Sequence, residues 1–160
     1  MKPAILRARL SAAFQSARVF RGDASGASAV EFALVVPFLL FLVVGLFQFG
    51  ITINNYLELT DGVRSGGRTF AIARTNATPY TSSVAAVKSS AANLTGANVT
   101  VTLSVNGTGC SSDSACTTAL ATASGGTATA TATYPCSLSI MGVNFAPSCT
   151  LTSTTSDLIE

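Results

Sequence analysis

The sequence predicts an α+β, membrane-anchored protein, in which a long N-terminal transmembrane helix continues into a small extracytoplasmic domain with a short helix and antiparallel strands. Three features predict this class: a long uncharged apolar run, two later segments that alternate apolar and polar residues, and four cysteines after the run. The 160 residues are enough for about one domain. Only 10% of them are charged, and the mean hydropathy is +0.50.

The predicted membrane span begins at Phe32 and ends at Ile53, within a stretch that has no charge between Glu31 and Glu58. Twenty-two helical residues rise about 33 Å, which is enough to cross a hydrocarbon core of about 30 Å. Pro37 and Gly45 lie inside the run. They are compatible with a span, because neighbouring helices can satisfy the backbone groups that a kink frees.

Positive charge is concentrated before the span. Residues 1–26 carry five Lys or Arg and one Asp, a net charge of +4, whereas residues 27–160 carry four basic and six acidic residues, a net charge of −2. The positive-inside rule therefore places the N-terminus in the cytoplasm and residues 54–160 outside. The leader itself is either a basic amphipathic helix on an anionic membrane surface or a disordered tail.

The chain is expected to divide into four regions, residues 1–26, 27–53, 54–80 and 81–160. The third is a helical stem and linker, because its polar residues keep helical spacing and include an Asp61/Arg64 pair. Three glycines in the stem, Gly62, Gly66 and Gly67, argue against a helix that is stable in isolation.

The last region contains 30 Ser or Thr but only four charged residues, a composition also found in mucin-like or disordered segments. Strict alternation nevertheless predicts half-buried strands over residues 98–105 and 127–134, with a weaker third strand over 150–159. Asn106-Gly107 is expected to end the first strand in a turn. A helix is predicted over residues 83–94, with its N-cap among residues 81–83.

Four cysteines in an extracytoplasmic domain imply disulfides, for which three connectivities are possible. Proximity favours Cys110–Cys116, in the connection between the two clear strands, and Cys136–Cys149 near the last segment. The competing interpretation is a four-cysteine zinc site, although the sequence has no CxxC pair.

Composition also narrows the possible functions. The chain has no His, which removes Ser-His and Cys-His triads and His-ligated zinc. Lys88 is the only lysine outside the leader, and a glycine-rich phosphate loop after a strand is missing. The sequence therefore predicts neither an enzyme nor a cofactor or metal site, and a net charge of +2 argues against a nucleic-acid partner.

The junction between leader and span reads Ser25-Gly-Ala-Ser-Ala-Val-Glu-Phe32. Its small residues are easily held extended in a protease groove. Glu31 stands at the edge of the apolar helix, where burial of an unpaired charge is costly. Taken alone, Glu31 is equally explained as an interfacial residue that frames the span.

This junction resembles the TadE/TadG-like pseudopilins, type IV pilin-like proteins of the tight-adherence (Tad, Flp) pilus systems. The resemblance is carried by Gly26-Ala-Ser-Ala-Val-Glu-Phe-Ala-Leu-Val-Val-Pro37 and residues 50–68, and weakly by residues 151–159. It covers about 50 residues well. A basic leader, a glycine, a glutamate five residues later and an unbroken apolar helix form a specific motif.

The resemblance implies cleavage between Gly26 and Ala27 by an inner-membrane prepilin peptidase that acts on the junction, including Glu31 and Phe32. Glu31 then becomes the fifth residue of the mature chain and meets the N-terminal amine of a neighbouring subunit. A buried carboxylate is tolerable when it is paired with a cation in this way.

The resemblance further implies a set of partners and a location. The partners are the peptidase, other pilins and pseudopilins, the inner-membrane Tad assembly platform and the lipid bilayer. The location is the bacterial inner membrane, single-pass with a periplasmic C-terminal domain, or the extracellular pilus after assembly. The major pilins of these systems are very short and carry Glu-Tyr, so Glu31-Phe32 on a larger domain favours a pseudopilin or minor pilin.

A secreted binding domain with a conventional signal peptide is the main alternative. It needs a small-x-small cleavage site just after an apolar run of 7–15 residues. The run here is longer, and it is followed by Asn54-Asn-Tyr-Leu-Glu58.

Overall fold

The computed structural model describes residues 24–140 and 142–160, so the alternatives for the first 23 residues of the leader lie outside the described part. Its longest element is helix α1, Ala24–Ala71. The described chain divides into two units, residues 24–44 and 45–160. In the first unit, residues 24–44 are helical throughout. The second unit holds the rest of α1 and an α+β domain, and we call residues 54–160 the head.

Helix α1 confirms that the apolar helix continues into the stem. It contains Pro37 and extends 18 residues beyond Ile53. Residues 26–71 include a window with a mean hydropathy of 2.6, so this helix is long and apolar enough to cross a membrane. A short 3-10 turn, Ala73–Thr75, follows it.

The head contains a four-stranded antiparallel sheet in the order β2-β1-β3-β6. Its strands are β1 (Thr100–Val105), β2 (Thr108–Cys110), β3 (Thr127–Pro135) and β6 (Thr150–Leu158). Strand β3 pairs with β1 from Thr133 opposite Thr100 to Ala128 opposite Val105, and with β6 along its whole length. The three strands predicted from alternation are thereby confirmed.

Alternation also assigns the two faces of this sheet. The apolar residues of β1 and the alanines of β3 are buried in the core, whereas the threonines point to the other face. On that face, the Thr129 and Ser156 hydroxyls lie 2.9 Å apart, and those of Thr131 and Thr154 lie 3.0 Å apart. Much of the Ser/Thr content therefore belongs to one ordered sheet face, which contradicts a mucin-like or disordered outer region.

Two further helices pack on the core side of the sheet: α2, Pro79–Ser90, and α3, Asp113–Ala121. Val87 in α2 and Leu120 in α3 are both fully buried. Helix α3 begins after Ser112, whose side-chain oxygen accepts a hydrogen bond from the backbone N–H of Ala115 at 3.3 Å. Helix and sheet thus bury one shared core.

The three stem glycines explain how α1 enters this core. A Cβ on Gly62 would lie 2.7 Å from the Val87 carbonyl oxygen in α2, and a Cβ on Gly66 would overlap the Val87 side chain. A Cβ on Gly67 would overlap the Thr155 side chain in β6. Glycine is therefore needed for close approach on two sides, and the tertiary contacts outweigh its low helix propensity.

Both favoured disulfides are confirmed. Cys110 and Cys116 are bonded with a Cα–Cα distance of 5.2 Å, and Cys136 and Cys149 with a distance of 5.0 Å. The cysteines are therefore not zinc ligands here. The second bond closes residues 136–149, which contain a small hairpin of β4 (Ser139–Ile140) and β5 (Val143–Asn144); we call this segment the disulfide loop.

Some boundaries and elements differ from the sequence predictions. Helix α2 begins at Pro79, four residues earlier than predicted, because proline suits the first helical position and Thr78 occupies the N-cap. Asn106 and Gly107 do form a turn, with φ of 50° and 82°, but the turn leads directly into the unpredicted strand β2. Helix α3 was also not predicted.

The N-terminus of α2 is capped from a distance by Asp113, the first residue of α3. Its carboxylate accepts hydrogen bonds from the Thr81 backbone N–H at 2.9 Å and from the Thr81 hydroxyl at 2.6 Å. The hydroxyl bond, followed by the backbone bond, lowers the pKa of Asp113 below its ordinary value of 3.8. The contact thus ties the two helices together through a charged cap.

Asp113→Asn should lower the melting temperature at neutral pH, because the amide cannot reproduce both accepted bonds. A carboxyl with a depressed folded-state pKa stabilises the fold above pH 3.8, and this stabilisation disappears as the pH falls through the folded-state value. The difference between wild type and variant, followed by circular dichroism, should therefore shrink towards pH 2. Asp61→Asn, at a surface ion pair, is the matched control; an unchanged difference across this pH range would contradict the cap.

Candidate processing and assembly segment

The junction residues lie at the start of α1 and are open to solvent. Gly26, Ala27, Glu31 and Phe32 fall within two helical turns, and all four are exposed. A Cβ built on Gly26 meets no atom within 4 Å. A substitution at Gly26 therefore changes the surface that an enzyme would meet without disturbing packing among the described residues.

An apolar surface follows the junction along α1. Phe32 is 70% exposed, Phe38 76% and Phe47 73%. The other large exposed apolar residues of this stretch are Val30, Leu34, Val35, Leu39, Leu40, Phe41, Leu42, Val43, Val44, Leu46, Phe49, Ile51 and Ile53. A patch of this size marks contact with lipid or with other apolar surfaces.

Glu31 is the one charged residue at the N-terminal end of this apolar surface. The next basic residue along the chain is Arg64, and its guanidinium lies 3.7 Å from the Asp61 carboxylate. Both of those side chains are more than 70% exposed, so that pair contributes little to stability. Any cation for a membrane-embedded Glu31 would have to come from the leader or from another molecule.

At the other end of the segment, Glu58 fixes α1 to the region after α2. Its Oε1 atom accepts hydrogen bonds from the Asn54 amide at 3.0 Å and from the Asn93 amide at 2.7 Å. Leu59 and Val63 follow on the buried face of the helix. Within a few residues, the helix thus changes from an exposed apolar segment to one that packs in the core of the head.

The comparison with known families bears directly on this stretch. The family model described as TadE-like protein matches residues 26–68. We call the matched residues 26–68 the TadE-like segment. No match was found among curated proteins or solved structures.

The TadE-like segment starts at Gly26 and ends at Arg68. It therefore contains the junction from Gly26 onward, the whole predicted span and the glycines that pack against α2 and the sheet. It covers 43 of the 160 residues, so the sheet and both disulfides lie outside it. The match agrees with the resemblance seen in the sequence and connects the chain with Tad pilus systems.

The predicted site residues fall into two groups. Gly26, Ala27, Glu31, Phe32 and Pro37 lie in α1 within the first unit. In the second unit, Ile140 of the disulfide loop approaches Gly45: a Cβ added to Gly45 would lie 3.8 Å from the Ile140 Cδ1 atom.

Sequence reasoning missed the packing role of the glycines at 62, 66 and 67. Their spacing of four and one within a helical pattern is the available signal, because small residues four apart lie on one helix face and permit close helix contact. Without the partner helix, the same residues indicate only low helix propensity.

Proposed function

We propose that this protein is a prepilin-like (pseudopilin) subunit of a Tad/Flp type IV pilus that acts in pilus assembly or as a minor pilus component for adhesion. The observation that carries the proposal is the TadE-like segment, which begins at Gly26 and coincides with an exposed apolar helix. The role is structural, and no catalytic group is required of this chain.

The first step would be cleavage between Gly26 and Ala27 by a prepilin peptidase at the cytoplasmic face. Hydrolysis of this peptide bond adds one water, releases residues 1–26 and leaves a new α-amine on Ala27. The released leader carries the net +4 charge that holds the N-terminus in the cytoplasm. Its loss frees the helix to be extracted from the membrane.

Assembly would then pair charges between subunits. Within a packed bundle of apolar helices, an unpaired Glu31 carboxylate would cost several kcal/mol, so it favours a neighbour that brings a cation. The new α-amine of an adjacent subunit supplies that cation. Other pilins, pseudopilins and the inner-membrane Tad platform are the partners this arrangement requires.

The head would lie on the periplasmic side in this arrangement. Its four cysteines are all paired, as is expected for an oxidising compartment. Because α1 is built into the core through its glycines, a force applied to the helix during extraction is transmitted to the sheet. The lipid bilayer is the first partner of the subunit. A subunit that is incorporated into the filament would finally be located in the extracellular pilus.

Glu31→Ala tests the proposal in a host whose own copy of the gene is deleted. The variant should still lose its leader, but it should support fewer pili, measured by electron microscopy and by the amount of sheared filament. Asp61→Ala removes an exposed carboxylate of the same helix and should assemble like the wild type. Normal piliation with Glu31→Ala would contradict the assembly role.

A further inference from the structure

The disulfide loop packs beside the part of α1 that belongs to the predicted span. Ile140 in β4 is only 9% exposed and approaches Gly45. On α1, positions 45, 48, 52 and 55 are partly covered and recur every three or four residues, so they form one covered face. Ile140 of the loop therefore lies beside the apolar part of the helix, at one position of this face.

The position of Gly45 sets the depth of this contact. Gly45 lies eight residues before Ile53, the last residue of the apolar run, which corresponds to about 12 Å along a helix. An apolar run of about 33 Å exceeds the hydrocarbon core by only about 3 Å. If α1 spans the bilayer, the point of contact with Ile140 lies below the outer membrane surface.

The loop has the composition that such a position demands. No charged residue occurs between Lys88 and the loop except Asp113, and none occurs from Cys136 to Ser156. Among the described residues of the loop, two large apolar side chains are left uncovered, with Val143 57% and Phe145 60% exposed. In water this exposure is unfavourable, whereas insertion into the headgroup and acyl boundary buries it.

Some of the loop's backbone hydrogen-bonding groups are paired within the loop itself. Ser139 pairs with Asn144 and Ile140 with Val143, and the Phe145 N–H donates to the Leu138 carbonyl at 2.8 Å. The Ala146 N–H donates to the Asn144 side chain at 3.0 Å. Internal hydrogen bonds of this kind lower the cost of moving a non-helical segment out of water.

We propose that the disulfide loop is a second membrane contact, which inserts Val143 and Phe145 among the lipid acyl chains of the outer leaflet beside α1. The inference rests on the single-pass anchoring in the proposed function. It gives the Cys136–Cys149 bond a role, since the bond holds the ends of the loop together while Ile140 lies beside α1. Before extraction, the loop would fix the orientation of the head on the membrane.

The chain contains no tryptophan, so a single introduced indole reports on one site. Full-length Phe145→Trp would be reconstituted in phosphatidylcholine vesicles that carry bromine at defined acyl positions. Phe47→Trp, on the exposed apolar part of α1, reports anchoring, and Leu158→Trp, 71% exposed on β6, reports the water-facing head. Emission wavelength and bromine quenching are measured for all three.

The expected result is blue-shifted, bromine-quenched emission for Phe145→Trp and Phe47→Trp, and red, unquenched emission for Leu158→Trp. If Phe47→Trp is quenched and Phe145→Trp is not, the loop proposal is wrong while the anchoring stands. Blue-shifted but unquenched emission at 145 would mean that protein, such as a second copy, covers the tip, and would also overturn it. Absence of quenching at 47 would reject the anchoring itself.

Discussion

Replacing Gly66 with alanine should destabilise the head, although alanine is the better helix former by about 1 kcal/mol. The new Cβ would overlap the Val87 side chain and lie 2.9 Å from the Ser83 carbonyl oxygen. Valine is stiff at χ1 and the carbonyl belongs to helix backbone, so neither obstacle moves easily. Overpacking of this kind costs about 1–3 kcal/mol, and each kcal/mol lowers Tm by roughly 4–8 °C in a domain of this size.

Gly50→Ala provides the matched control, because it lies in the same helix and a Cβ there meets nothing within 4 Å. Thermal unfolding in detergent, followed by circular dichroism, should show Gly50→Ala at or above the wild-type Tm and Gly66→Ala clearly below it. If both variants gained stability equally, helix propensity alone would govern these sites and the close approach of α1 to α2 would be refuted.

Gly26→Val should leave residues 1–26 attached to the chain. The prepilin-like interpretation requires a small residue before the cut, and a β-branched side chain at this position obstructs entry into a narrow groove. Because Gly26 faces open space, the substitution has no described neighbour to disturb, and the head should keep its wild-type Tm. The readout is the intact mass of the membrane-extracted protein from cells that contain the peptidase.

Gly50→Val makes the same change 24 residues later, also in open space, and should be cleaved normally. This pairing separates recognition at the junction from a general effect of valine on membrane insertion. Complete removal of the leader from the Gly26→Val variant would contradict the role of Gly26 in recognition by the peptidase.

The parts of the fold that sequence predicts are those fixed by local periodicity. Strand β3 alternates Thr and Ala without interruption, so its buried and exposed faces follow directly from the two-residue repeat. The start of the TadE-like segment is equally local, since Gly26 and Glu31 stand beside a charge-free run. The short spacing between partners likewise made both cysteine pairs predictable.

The structural features that the sequence did not predict depend on contacts between residues that are far apart in the chain. The start of α2 is stabilised by Asp113, which lies 32 positions after Thr81, so no local signal gives it. Helix α3 has nine residues, too few for a clear 3.6-residue repeat, although Ser112 before Asp113 is a usable N-cap signal. The glycines at 62, 66 and 67 reveal their role only once Val87 and Thr155 are in place.

The disulfide loop could not be located from the sequence for a related reason. An uncharged loop with Val143 and Phe145 fits either a head core or a membrane surface. Only the approach of Ile140 to Gly45 distinguishes them, because it sets the loop beside the apolar part of α1. Of the five aromatic residues in the head, Tyr56, Phe70, Tyr80, Tyr134 and Phe145, only Phe70 is fully buried.

If a peptidase processes this pilin-like subunit, the N-terminus of the wild-type protein in cells records the cleavage. Intact mass and N-terminal sequencing would be applied to membrane and sheared-pilus fractions of cells that contain the pilus system. We expect a chain that begins at Ala27. A chain that still begins at Met1 in both fractions, or one cut after the apolar run near residue 54 or 74, would contradict this processing.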